Sequence, residues 1–405
     1  MTVYIGIDWS VNKHDICYMN EKGVVIQTEE IPHSIVGFVR MDNLRRQTGV
    51  DAKDCIVGLE TSHNLLVDYL WEQNYEQIYV IPPNSVKSAQ GRFRQSGAKN
   101  DAWDARLIAD LLRTDLKRYT KWNPDLPVTR EMRSAVSMLE NLNQELVRNT
   151  NRLRAVLLRY YPEAAELFSR LNSLVALAFI EQYPSIEDAS LMTYEEFKVF
   201  LRKNHHSQKR VWPKYYAQLQ QPGMKAQEAV VEACKPHALS LVRILKVLLA
   251  EKKHWQKRLN ELYEQHPDKE IFASLPAAGE FLEPALLTKM GDDRERFPNP
   301  HVLQAVAGTC PVTYQSGRKR VVHYRWACDH QFRKIVQQWA KFTIEVSPWA
   351  AGYYRSVRPR CSSTNDAVRR LANRWLEILW RLWYDRVQYD ETYHLKKHAL
   401  RSKIK

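Results

Sequence analysis

Five residues have types and placements that can do chemistry. Asp8 closes the run Val-Tyr-Ile-Gly-Ile-Asp-Trp-Ser that starts at Val3, and Glu60 follows the apolar run 55–59. Asp101 and Asp104 lie three apart in Lys-Asn-Asp-Ala-Trp-Asp-Ala-Arg. On a helix that spacing puts both on one face, roughly 5–6 Å apart at Cβ. Each acid alone has a plain reading: strands often end in an Asp turn, and acids favour a helix N-terminus. Four together would raise one another's pKa values unless a cation joined them. Hard divalent ions with oxygen ligands resolve that conflict, Mg²⁺ being the physiological fit and Mn²⁺ its substitute. Two such ions roughly 3.5–4 Å apart can activate an attacking oxygen and stabilise a leaving one in phosphodiester cleavage. The fifth residue is Ser316, in Thr-Tyr-Gln-Ser-Gly-Arg-Lys-Arg from Thr313. By chemistry alone Ser-Gly in a polar run is most often a turn. A serine nucleophile also needs a base or a metal, and no His stands at an obvious spacing.

The elements needed to gather these acids are legible. Residues 3–9, 14–20 and 24–30 read as strands, with Glu-Lys-Gly at 21–23 as a tight turn. A helix is expected over 33–47, a strand over 55–59, a helix over 64–73 and a strand over 77–81, stopped by Pro82-Pro83. A further helix is expected at about 102–113. A hairpin meander followed by α/β crossovers predicts a mixed sheet with helices packed on it. Asp8 and Glu60 then fall at equivalent strand ends, and this topology with Asp/Glu/Asp/Asp points to an RNase-H-like, RuvC-type domain over 1–122. An actin or sugar-kinase ATPase also opens with Gly-Ile-Asp but needs Gly-rich phosphate turns, and the chain has no Gly-Gly pair. Between sheet and helix, Lys87, Arg92, Arg94 and Lys99 predict a mobile basic loop able to contact a phosphate backbone, or a solvated one.

Downstream of Pro124 and Pro127 the period changes. Met132, Leu139, Leu146, Leu153 and Tyr160 repeat every seven, interleaved by Ala135, Leu142, Asn149 and Val156, a coiled-coil seam with one polar interruption. A second seam runs through Leu241, Leu245, Leu248, Lys252, Trp255, Leu259 and Leu262. The two either pair with each other antiparallel or associate between subunits, and the balance leans to the latter, a homo-oligomer of two or four chains. Residues 162–236 between them read as a small helical insert, with Arg202, Lys203, His205, His206, Lys209 and Arg210 as a cluster for RNA or DNA. The coiled-coil and helical middle thus covers 123–268. A mostly helical C-terminal domain covers 269–392, with a helix-hairpin-helix around Leu275–Gly279, and helices over 326–345 and 366–389. Trp375, Trp380 and Trp383 read as core. The basic tail, 393–405, is expected to be disordered.

Composition narrows the partners. The chain has 405 residues, with 60 Lys and Arg against 46 Asp and Glu, a net charge of +14; this favours a polyanion, and nucleic acid over membrane. No apolar run approaches the ~18 residues of a membrane span. Six widely spaced cysteines without C-x-x-C indicate neither a zinc ribbon nor a disulfide framework. With no leader-like segment ahead of the first strand, a cytoplasmic protein is expected.

Gly-Ile-Asp-x-Ser around Asp8, Glu60 after a strand, and Asn-Asp-x-x-Asp-Ala at 100–105 together resemble the DEDD transposases of a bacterial insertion-sequence family, the bridge-RNA-guided recombinases. Met-Gly-Asp at 290–292, Arg-Phe-Pro at 296–298 and Ala-Gly-Thr-Cys-Pro at 307–311 continue the resemblance, which covers about 1–115 and 270–345. Ala277-Ala278 and Glu280-Phe281 depart from the family's small, Gly-rich hairpin. The resemblance implies Mg²⁺ on Asp8, Glu60, Asp101 and Asp104. It implies Ser316 as the nucleophile that forms a covalent serine–DNA link, with Arg318, Lys319 and Arg320 holding the phosphate. It also implies a non-coding guide RNA that pairs with donor and target DNA. The rivals are an Mg²⁺-dependent, structure-selective RuvC-like nuclease that uses water, and a non-catalytic nucleic-acid scaffold.

Overall fold

Val3–Trp9 (β1), Lys13–Asn20 (β2) and Val25–Pro32 (β3) are the meander of the computed structural model, which describes residues 2–61, 64–92, 101–221, 226–317 and 319–396. The side chains of Arg92 and Asp101 fall outside that description, as do Arg94, Lys99, Arg318 and the tail from 397. The chain divides into two units: Met1–Asp125 with Asp292–Val302, and Leu126–Gly291 with Leu303–Lys405.

In the first unit, Ile35–Gln47 (α1), Cys55–Leu59 (β4), Leu65–Glu72 (α2) and Gln77–Val80 (β5) follow the meander. The sheet order is β3-β2-β1-β4-β5, antiparallel across β3-β2-β1 and parallel across β1-β4-β5. Crossover helices make the parallel half possible. One face is apolar at every second residue: Val3, Ile5 and Ile7 of β1 and Cys55, Val57 and Leu59 of β4 lie in one core with Phe38 and Met41 of α1 and Leu66, Val67 and Leu70 of α2. The opposite face is covered by Asp101–Asp115 (α4), whose Ile108 and Leu112 pack with Ile56. Pro83–Ala89 (α3) replaces part of the expected basic loop. Pro83 sits at the first helical position, where its fixed φ and missing N–H cost nothing, so Lys87 is helical. Asp125, 8% exposed, ties the Asp292–Val302 segment to this unit. Its carboxylate accepts from the Asp292 amide at 2.9 Å and from Arg296 Nη2 at 2.8 Å.

The second unit opens with Pro127–Tyr160 (α5). Three short helices, Pro162–Glu166 (α6), Leu174–Gln182 (α7) and Ile186–Ser190 (α8), lead to Tyr194–Lys203 (α9), Trp212–Leu219 (α10) and Glu228–Glu264 (α11). The two long helices pair with each other, antiparallel. Glu131 and Thr129 at the start of α5 meet Arg258 and His266 at and beyond the end of α11, while Leu153 and Leu157 share a core with Ala238 and Leu241. The heptad positions of α5 are buried except Val156, which is half-buried beside the buried Leu157, and Asn149 is satisfied by donating to the Glu145 carbonyl at 2.9 Å. In α11 the seam is buried at Leu241, Leu245, Leu259 and Leu262 but only half-buried at Leu248, Lys252 and Trp255.

Lys269–Ala273 (α12), Gly279–Met290 (α13) and Pro300–Val306 (α14) come next. The hairpin Val312–Ser316 (β6) and Lys319–His323 (β7) follows, then His330–Val346 (α15), Pro348–Val357 (α16) and Thr364–Asp385 (α17). The helix expected from Trp326 starts four residues later, because the Asp329 carboxylate caps it at the Phe332 amide, leaving Trp326 outside and 74% exposed. Trp339, Trp375 and Trp383 are fully buried core, each with its indole N–H bonded, whereas Trp380 is half-buried and stacks on Tyr384. Among the described residues no helix is long and apolar enough to cross a membrane.

Candidate active site

Strand alternation decides which way Asp8 and Glu60 point. With Val3, Ile5 and Ile7 facing α1 and α2, Tyr4, Gly6 and Asp8 face α4. On β4, Ile56 and Gly58 face α4, and Glu60 continues that side one residue beyond Leu59. Register pairs Ile7 with Leu59, so the two acids follow side by side on neighbouring parallel strands.

Two glycines let the helix come down onto these strands. A Cβ on Gly6 would lie 2.0 Å from the Ala105 carbonyl oxygen, and one on Gly58 2.7 Å from a Leu112 methyl. The direction of α4 follows from its far end. A Cβ on Gly23 would lie 3.2 Å from the Arg113 guanidinium, and Gly23 is in the turn beyond Asn20, which pairs with Val3. The last turn of α4 therefore lies at the Val3 end of the sheet. Its first turn, with Asp101 and Asp104, lies at the end that carries Asp8 and Glu60. Gln90 Nε2 donates to Asp104 Oδ1 at 3.5 Å. The structure thus brings Asp8, Glu60, the Asp101 backbone and Asp104 to one end of one face. The side chains placed at this end are carboxylates from the ends of two strands and the start of a helix, the donor type that suits a hard divalent cation.

Two neighbours of this set escaped the sequence reading. Asp15 is directly opposite Asp8 in the antiparallel register, and Glu30 is directly opposite Asp15. Directly opposed residues share a face, so an acidic row runs across β1, β2 and β3, with Glu30 ion-paired to Lys13. Counting back from the short β1–β2 connection would have found it. Arg106, one turn into α4, acts on the same face. Burial pushes the Cys17 thiol on β2 up to about 11, and the Arg106 charge opposes that rise. Its guanidinium carbon also lies 4.9 Å from the centroid of the Trp103 ring.

Behind Asp8, on the other face, a histidine pair braces the strand end. The Ser10 amide donates to His14 Nδ1 at 3.3 Å, which leaves the proton on Nε2 to donate to His33 Nδ1 at 2.8 Å. His14 is fully buried, and burial, then the His33 charge, lowers it to about 4.

Ser316 belongs to the other unit. It is the last residue of β6, exposed, paired across the hairpin with Lys319, next to Gly317 at φ +55°. Lys319 and Arg320 are exposed beside it. Among the described residues its hydroxyl makes no hydrogen bond, and the strand's histidine, His323, is at the far end, opposite Val312. The base of the hairpin is anchored instead. Arg333, 8% exposed, donates to the Tyr324 hydroxyl, the Arg325 carbonyl and Cys328 Sγ, and Arg325 Nε donates to the Cys310 carbonyl at 3.3 Å.

Comparison with known proteins fits both units. Residues 5–162 match the IS110 DEDD transposase family, and residues 269–355 match the transposase family of IS116, IS110 and IS902. The chain is 28% identical to the IS117 mini-circle transposase candidate of Streptomyces coelicolor over 96% of each chain. It is 28% identical to an insertion element IS900 protein of Mycobacterium paratuberculosis over 78% of each, and 25% identical to an insertion element IS110 protein of Streptomyces coelicolor over 72% of each. The DEDD type of the first match agrees with divalent-metal use. The chain belongs to the IS110 family of transposases, enzymes that cut and rejoin DNA.

Proposed function

We propose that Asp8, Glu60, Asp101 and Asp104 hold Mg²⁺, with Mn²⁺ able to replace it, and that Ser316 is the nucleophile of the strand transfer. The observation that carries the first part is the convergence of the α4 N-terminus on the ends of β1 and β4. Bound there, the ion supplies Lewis-acid stabilisation of charge on the phosphate. Ser316 Oγ forms a bond to phosphorus as one bridging P–O ester bond breaks, and the serine proton ends on the leaving oxygen. The phosphoester is conserved in the serine–DNA link, so the strands rejoin without ATP. Arg92, Arg94 and Lys99 before α4, and Arg318, Lys319 and Arg320 on the hairpin, hold DNA phosphates as charge-assisted donors. A non-coding RNA guides donor and target choice, leaving the protein to read backbone and shape.

The finer architecture belongs to the same reading. The α5–α11 pair is a coiled coil, and its exposed Val147, Ile244 and Val247 offer contacts for a dimer or tetramer in which Ser316 of one subunit meets the acids of another. The α12–α13 turn is a helix-hairpin-helix facing phosphate. The protein works in the bacterial cytoplasm.

A second reading, hydrolysis by water on the same acids, is favoured by the absence, among the described residues, of a base bonded to Ser316. Two substitutions separate the readings. Ser316→Ala should abolish both the protein–DNA adduct and recombination, whereas surviving recombination would remove serine from the mechanism. Asp8→Asn should abolish cleavage across an Mg²⁺ titration, and unchanged cleavage would remove the metal site and favour a scaffold. Sequencing the RNA that co-purifies tests the guide, since a random population would count against it.

A further inference from the structure

Between Glu196 and Glu228 the chain has no acid, although it carries seven Lys and Arg there and acids elsewhere at about one residue in eight. The described part of this stretch folds into the end of α9, a turn, a single 3-10 turn at Lys209–Val211, and α10. Its Trp, Tyr and Phe residues are buried or half-buried. Trp212 is 4% exposed and donates its indole N–H to His206 Nδ1 at 3.0 Å, and Phe168 packs edge-on against Tyr215. The His206 amide bonds to the Leu201 carbonyl at 2.9 Å, which fixes the turn. With that side spent on the core, Arg202, Lys203, Lys209, Arg210 and Lys214 are left exposed along one edge.

These cations differ from others in the same unit. Lys198, Lys235, Lys246 and Arg258 are each ion-paired, while among the described residues none of the five is. Helix ends explain only some of them. Arg202 and Lys203 suit the negative C-terminal end of α9. Lys209 and Arg210 precede α10, and Lys214 sits in its first turn, where the helix presents its own positive end. Cations set against the local dipole raise the energy of the free protein and lower it once an anion arrives.

We propose that this edge of the helical insert grips the phosphate backbone of duplex DNA, independently of base sequence. The transposase's substrate is DNA. The edge exposes five cations and a single imidazole, His205, but no exposed Trp, Tyr or Phe, so it has no run of rings on which successive unpaired bases could stack, as single-strand and loop binders require. Each neutralised phosphate adds about 0.9 to the slope of log affinity against log salt for a duplex.

The test is fluorescence anisotropy of the full-length protein on a labelled duplex of random sequence over a salt series, with thermal denaturation as the folding check. Lys209→Gln, Arg210→Gln and Lys214→Gln together should lower the slope by about 2.7 and weaken binding about tenfold or more, leaving the Tm in place. Arg202→Gln with Lys203→Gln should lower it by about 1.8, an independent check if the triple variant misfolds. Neutralising the paired Lys235, Lys246 and Arg258 should change the slope far less. An unchanged slope in the first two variants overturns the proposal. So does an equal loss in the third, or a loss confined to an RNA duplex.

Discussion

Gly6→Ala is the smallest perturbation that reaches the acid cluster without touching an acid. The added methyl carbon would lie 2.0 Å from the Ala105 carbonyl oxygen and 2.5 Å from the Ala109 amide nitrogen. Both are backbone atoms in the middle of a helix, so no side chain can rotate aside. Ordinary contact starts near 3.4 Å, and α4 has to back away from β1 by roughly 1 Å or more. Overpacking of this kind costs about 1–3 kcal/mol, a loss of several degrees in Tm. The larger effect is on geometry. Ala105 adjoins Asp104, so the retreat carries the first turn of α4 away from Asp8 and Glu60. A misplacement near 1 Å in a reacting constellation costs about 100-fold. Strand cleavage by Gly6→Ala, measured at saturating Mg²⁺ and well below its Tm, should therefore fall about 100-fold while circular dichroism stays native. Gly352→Ala is the control. Its Cβ would meet nothing within 4 Å inside α16, so it should be neutral or stabilise by about 0.5–1 kcal/mol. Wild-type cleavage and Tm in Gly6→Ala would mean that α4 does not lie on β1 as described, and the assignment of Asp104 to this site would go with it.

Three further outcomes follow from buried polar groups. His14 has its folded pKa lowered from 6.5 to about 4, so between those values the unfolded chain binds a proton that the folded chain refuses. Its contribution is full above about pH 6.5 and drains as pH falls towards 4, by on the order of 3 kcal/mol at most; His14→Phe should flatten that limb in urea titrations at pH 7, 6 and 5, and an unaltered limb would clear His14. Glu391 accepts from the Ser347 hydroxyl, from the Trp349 amide at 2.8 Å and from the Tyr389 hydroxyl at 2.7 Å, at the N-terminus of α16. Glu391→Gln should cost about 1–3 kcal/mol, read as a lower Tm, and an unchanged Tm would show that this latch contributes nothing. Asp125→Ala leaves Arg296 and the Asp292 amide without their shared acceptor, at about 2–3 kcal/mol. Hydrogen exchange should then rise over 292–302, and unchanged protection there would refute the tether.

What the sequence made legible is what local patterning encodes. Alternation at Val3, Ile5 and Ile7 and the break at Pro82-Pro83 place β1 and β5 within a residue, and the three-residue spacing of Asp101 and Asp104 needs only a helix. Asp15 was missed because its importance comes from pairing, and a one-residue slip would have turned it to the other face. The heptads of α5 and α11 are written identically whether the partner helix is in the same chain or another, so their pairing within one chain had to come from the Glu131–Arg258 and Thr129–His266 contacts. Ser316 marks the limit more sharply. Its neighbours on β6 and β7 are nearly all exposed, so the hairpin supplies neither a base nor a pocket from its own strands, and its residues bear no trace of what activates the hydroxyl. A serine of this kind is inert until something outside the hairpin meets it. If Ser316 is the nucleophile, as proposed, that argues for assembly on DNA as the step that activates it, rather than a serine kept reactive in the free protein.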